Sequence, residues 1–314
     1  GDQTATRNGI ELLRLKDKLG TRSLASCEVM LRDAVATRVG GAGDGVRTII
    51  EMVVHTRMDC ALGSTGIMTR ALSEAVWHTS QRSAFGAKLV DQPLMRGVLT
   101  DLMLEREAAL AMSLDVTRAF DQAALTPTPQ VLAVARIVPA IAKYYITRRA
   151  VAVAVEAVET LGGNGYTEEF PLARMYRDAQ VNSTWEGSGN VIVLDVYRTL
   201  ATNPATLEAL RAHVSRLLAN DPTGAGERIA ALLTAPPADV ADGRGYIGKL
   251  AGALAAALLV HRAAVSGSGE DRAIADAWIA TRIDQPGPHV FGDSGTKLGD
   301  ARDLVLMRGC IPGQ

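Results

Sequence analysis

The chain is short of aromatic residues, cysteines, excess charge of either sign and long apolar runs, and each shortage narrows what it can be. Aromatic side chains make up 4% of 314 residues, while hydrophobic residues reach 47%. The core must therefore be built from Ala, Leu and Val, which suits close-packed helices better than a β-sandwich. Cys27, Cys60 and Cys310 are widely spaced, with no Cys-x-x-Cys pair and no metal-ligand spacing. That pattern argues against a disulfide framework or a metal site, and for a reducing compartment, the cytoplasm. Lys and Arg number 33 against 34 Asp and Glu. Without a basic body, nucleic-acid binding would need a local patch. The apolar run from Leu250 to Val260 is too short to span a bilayer, and the polar first residues carry no signal core. Neither a membrane partner nor a targeting segment is expected.

What is present reads as helix. The length suggests one large domain and a second unit. Alternation in Cys27-Glu28-Val29-Met30-Leu31-Arg32 predicts a strand or two before the break at Gly40-Gly41-Ala42-Gly43. Two strands alone are marginal in water, so the rest of their sheet is expected from sequence missing here or from another chain. Ile49, Met52, Val53, Met58, Leu62, Ile67, Leu72 and Val76 recur at helical spacing through 44–82. Further helices are expected over 92–124, over 130–160 and from Ser188 to about Leu200, forming an up-and-down bundle with the active residues in its loops. Beyond Asn203-Pro204, helices are predicted over 205–219, 226–234, 243–265 and 270–281, followed by an irregular tail. No basic stripe and no internal repeat stands out.

Two glycine-rich turns organise this pattern: Leu161-Gly162-Gly163-Asn164-Gly165-Tyr166 and Trp185-Glu186-Gly187-Ser188-Gly189-Asn190. Paired glycines let backbone turn with positive φ or approach a ligand closely. Glu186 lies beside an indole and just ahead of a helix, a setting that suits a proton-abstracting carboxylate. Alternatively, the segment is a plain helix-to-helix turn capped at Ser188.

Arg82-Ser83-Ala84-Phe85-Gly86 precedes these two turns, and the ordered set of three resembles the acyl-CoA dehydrogenase family. Lys16-Asp17-Lys18-Leu19-Gly20-Thr21-Arg22-Ser23, Ala61-Leu62-Gly63-Ser64 and Gln92-Pro93-Leu94-Met95-Arg96 resemble its branch from the bacterial adaptive response to DNA alkylation. The resemblance implies a mainly α fold: a C-terminal four-helix bundle of the acyl-CoA dehydrogenase type over 44–203. A remnant of the middle β-domain would occupy 1–43 and an appended helical region 204–314. It implies FAD as cofactor and an acyl thioester or related small molecule as substrate. Glu186 would abstract the α-proton while a hydride passes to the flavin. Family members that place the base on the first long helix, before an arginine, have Thr56 as their counterpart here, which cannot serve. Arg82 would reach the flavin dinucleotide's pyrophosphate across a subunit contact. Phe85 would pack near the cofactor, and Gly162 and Gly163 would approach a neighbouring subunit's cofactor. Ser188 and Asn190 would cap the next helix and face the cofactor. Glu159 stands where the wider family commonly has glutamine and is not assigned to the site.

Three functions compete: a flavin-dependent acyl-CoA dehydrogenase acting as a homo-oligomer, a DNA-alkylation-response flavoprotein that binds DNA, and one half of a heteromeric dehydrogenase whose partner chain supplies the missing N-terminal domains.

Overall fold

The computed structural model describes residues 7–285 and 301–309. An antiparallel pair opens it, β1 (Ile10–Leu15) with β2 (Cys27–Leu31), in register Ile10 to Leu31, Leu12 to Val29 and Leu15 to Cys27, with an irregularity between Leu12 and Arg14. Leu12, Leu15 and Leu31 are each about two-thirds exposed, so the pair has no core of its own. The loop between the strands docks on the helical body, where the Thr21 amide donates to Asp178 Oδ1 at 2.5 Å.

Three long helices follow: α1 (Gly45–Gln81), α2 (Pro93–Leu125) and α3 (Pro129–Thr160). Their starts follow local chemistry. Proline at the first position of α2 and α3 gives up an amide that would have no intrahelical partner. The Thr128 hydroxyl accepts from the Val131 amide at 3.2 Å, capping α3. A two-residue hairpin, β3 (Ser83–Ala84) with β4 (Ala87–Lys88), joins α1 to α2. Met68, Leu102, Met112, Val138, Ile141 and Ile146 are fully buried where the three helices meet. Each large apolar side chain so buried contributes about 1.5–3 kcal/mol.

The fourth member of the bundle is α4 (Pro171–Asn182), a helix that the sequence pattern leaves unassigned, which packs against α1 and α3 through Leu172, Met175 and Ala179. The helix expected in that role, α5 (Gly189–Thr202), lies instead against α3 and the C-terminal helices. Those are α6 (Ala205–Leu217), α7 (Gly226–Ala230), α8 (Gly243–Ser266), α9 (Gly269–Trp278) and α10 (Ala301–Met307). The segment expected to be irregular thus contains a helix, α10, against α2 and α9. α6 and α8 share one continuous core with α2 and α3, centred on Leu210, Val214, Leu250, Leu254 and Trp278. Among the described residues, one helical stretch, Val240–Ser266, is long and apolar enough to cross a membrane, and 67% of its most apolar window is buried in this core.

Candidate functional site

The second glycine turn is held from below by two buried cations. Lys143, on α3 and 1% exposed, donates from Nζ to the carbonyl oxygens of Trp185 at 2.9 Å and Gly187 at 2.5 Å. Arg57, on α1 and 7% exposed, donates from Nε to the carbonyl of Glu186 at 3.1 Å. Three successive carbonyls therefore face inward. Glu186 takes φ 57°, a left-handed conformation that costs a non-glycine residue roughly 1–2 kcal/mol, and Gly187 follows at φ 103°. The Glu186 side chain is half-buried beside Trp185.

Arg57 is fixed in turn. Its Nη1 bonds Asp195 Oδ2 of α5 at 2.7 Å, and Arg136 and Arg198 bond the other carboxylate oxygen at 2.7 and 3.0 Å. Burial pushes the Asp195 carboxyl up, but the hydrogen bonds and charges of Arg136 and Arg57 outweigh it and hold the group well below the usual carboxylate range. Beside this cluster a cleft of about 320 Å³ opens between Ile50, Val53 and Val54 of α1 and Val191 and Leu194 of α5. Thr56, the counterpart of the alternative base position, bonds only carbonyls of its own helix.

Ser188 occupies the N-cap position of α5, with φ −65° and ψ 169°, but its side chain makes no capping bond. The Asn190 Oδ1 accepts from Arg244 Nε of α8 at 2.8 Å. Asn190 thus links α5 to the C-terminal helices, and neither residue caps the helix through its side chain as the sequence suggests.

Arg82, Gly162 and Gly163 come together elsewhere. They line a cleft of about 400 Å³ with His78, Met95 and Glu159, where the C-terminal ends of α1 and α3 meet. Gly162 has φ 60°, and nothing lies within 4 Å of where a Cβ would sit on it or on Gly163. Bare backbone opposite an exposed guanidinium suits a pyrophosphate, so these residues fit a dinucleotide. Phe85 sits at the β3–β4 turn with φ 53° and 98% exposure. From Arg57 to Arg82 is about seven turns of α1, roughly 37 Å. The Glu186 loop therefore meets α1 and α3 part-way along their length, well removed from the Arg82 cleft at their C-terminal ends.

Sequence reasoning missed Lys143, Arg136 and Asp195. One signal for Lys143 was available: its helical neighbours Pro139, Ala140, Ile146 and Thr147 leave a lone charge on an otherwise uncharged face. Buried lysine without a partner is costly, so such a position demands a built acceptor.

With this geometry in place, comparison with known proteins decides the family. Residues 43–201 match the domain described as "Acyl-CoA dehydrogenase, C-terminal domain". The chain belongs to the acyl-CoA dehydrogenase family. It is 48% identical to AidB of Escherichia coli K12 over 194 residues, 62% of this chain and 35% of AidB, in keeping with the branch resemblance read from the sequence. Its fold superposes on Caenorhabditis elegans ACDH-11 in complex with C11-CoA with a TM-score of 0.84 and 27% identity, covering 97% of this chain and 55% of that one. An acyl-CoA dehydrogenase from Bacillus anthracis complexed with FAD has the same fold at a TM-score of 0.71 and 16% identity, covering 96% of this chain and 62% of that one. The chain thus spans roughly a third to three-fifths of the length of these relatives.

Proposed function

We propose that this chain supplies the proton-abstracting part of a flavin-dependent acyl-CoA dehydrogenase, with Glu186 as the base. The observation that carries this reading is the Glu186 backbone, held in a left-handed turn by Arg57 from a second helix, in a family whose members oxidise acyl thioesters. A side chain fixed on such a loop is preorganised toward a bound substrate instead of sampling solvent. Glu186 takes the α-proton, and the half-buried surroundings beside Trp185 limit competition from water.

FAD, as in the Bacillus anthracis relative, is the group that accepts the hydride when bound. In this chain Arg82 would hold its pyrophosphate, and Gly162 and Gly163 would offer backbone to the nucleotide. Because that cleft lies at the C-terminal end of α1, roughly 37 Å along the helix from the Arg57 that holds Glu186, the two would serve different flavins. This separation favours a homo-oligomer in which each chain contributes to two sites. The substrate class is an acyl-CoA thioester, by analogy with the ligand of ACDH-11, and the site of action the cytoplasm.

The test is reduction of bound flavin. Flavin-loaded Glu186→Gln should keep its helical fold and its FAD yet no longer bleach when acyl-CoA is added; undiminished bleaching would show that another group is the base. In the C-terminal helices Arg211, Arg228, Arg262, Arg272 and Arg282 each bond a carboxylate, so a DNA-binding reading would turn on the exposed Arg216, Arg244 and Lys249. Phosphate contacts need such side chains free along one face.

A further inference from the structure

Lys143 is the most deeply buried cation of the bundle, and charge alone does not explain where its three donors point. Its Nζ bonds the carbonyls immediately before and immediately after Glu186, at 2.9 and 2.5 Å. It therefore brackets one residue. Arg57 takes the intervening carbonyl from α1. A peptide whose three carbonyls are drawn inward has the Cα–Cβ direction of its middle residue fixed, and Glu186 at that position has a left-handed φ. A lysine present only to satisfy its own burial could use any nearby carbonyls, such as those of its helix.

We propose that Lys143 is a positioning residue: its ammonium clamps the 185–187 loop and sets the direction in which the Glu186 side chain leaves the backbone. The role in turnover rests on Glu186 being the base, but the clamp itself does not. The clamp depends on charge, because an ammonium binds carbonyls more strongly than a neutral amine. Burial lowers the Lys143 pKa to about 8, opposed by Cys60 and Glu186 and reinforced by the like charge of Arg57. Those are the titratable and charged groups facing it: Arg57 and Cys60 from α1, and Glu186 from the loop. Burial pushes the Cys60 thiol up, with Lys143 opposing the rise. The folded pKa being depressed, the ammonium is complete below pH 7 and is lost on passing through pH 8.

Cleavage by a glutamate-specific protease reads the loop directly. The ratio of cutting at Glu186–Gly187 to cutting at Glu168–Glu169, where the Glu168 side chain is 71% exposed, cancels the enzyme's own pH dependence. At pH 7, Lys143→Met should raise that ratio at least tenfold with helical content unchanged, and the ratio should no longer vary with pH. In the wild-type chain it should climb severalfold from pH 7 to 9. An unchanged ratio in Lys143→Met would overturn the proposal. Should Lys143→Met fail to fold, Lys143→Arg, which keeps the charge, and Lys143→Gln, which does not, decide: the ratio should rise more in the second, and equal ratios would overturn the proposal. Neither readout needs flavin or thioester, so a loosened loop in a chain whose Glu186→Gln variant still bleaches would uphold the clamp and refute the base.

Discussion

Arg57 and Asp195 form a buried pair at 2.7 Å that joins α1 to α5, and the same guanidinium reaches the backbone of Glu186. The side chains are 8% and 7% exposed, so neither charge can turn to solvent if the other is lost.

Asp195→Ala should therefore destabilise the fold by about 3–5 kcal/mol, the usual cost of stranding a buried partner. Urea unfolding followed by circular dichroism measures it. The pH dependence has a definite sign. Because the folded carboxyl is held below its unfolded value of 3.8, the pair's contribution is complete above about pH 5 and is lost as pH falls through 4 and below. In the alanine variant that acid-sensitive component should be absent.

The C-terminal helices are tied to the bundle by a second buried network. Arg282 donates to Asp101 Oδ1 at 3.0 Å and to Glu105 Oε1 at 3.2 Å, and Arg149 and Tyr145 bond the same Glu105 at 2.9 and 3.0 Å. Burial pushes Glu105 up, yet Arg149 and Arg282 hold it below the usual range. Arg282→Met should lower stability by about 3–5 kcal/mol and leave a single cooperative unfolding transition in calorimetry. Two separated transitions would show the two parts folding independently.

Gly187 adopts φ 103°, and a Cβ there would meet Ile192 and Val191 at 3.3 Å. Gly187→Ala should cost about 1–3 kcal/mol in chemical denaturation. Gly162→Ala, with φ 60° but open space around it, should cost less than Gly187→Ala in the same assay while weakening FAD binding.

Cys60 is 5% exposed and its thiol is pushed up by burial, whereas Cys27 is half-buried on β2. In the native protein, iodoacetamide should label Cys27 at least tenfold faster than Cys60, as peptide mass mapping would show. Cys310 lies outside the described residues.

Much of this fold was legible because punctuation marks it. Pro93, Pro129 and the Gly162-Gly163 pair stand at or beside the ends of α2 and α3, and apolar spacing fills the intervals. α4 escaped because its twelve residues carry only a narrow apolar stripe, Leu172, Met175 and Ala179, between two glycine turns that drew the functional reading. α5 was read as the fourth bundle helix because its apolar face is genuine; which neighbour covers that face depends on the chain's path after Asn203. The candidate site was legible in its Glu186 loop and not in its supports. Lys143 and Arg57 act on carbonyls 42 to 129 residues away, and no spacing along the chain records such a bond. The outward position of Phe85 was not legible either, because it is set by the tight turn of β3 and β4.

The central claim is that Glu186 removes the α-proton of an acyl thioester, and exchange of that hydrogen tests it without waiting for net oxidation. In D2O, flavin-loaded protein given acyl-CoA should incorporate deuterium at the α-carbon, followed by mass spectrometry. Glu186→Gln should slow that incorporation by a factor of roughly 10²–10⁴, the range a general base contributes. Incorporation at the wild-type rate in Glu186→Gln would contradict the account.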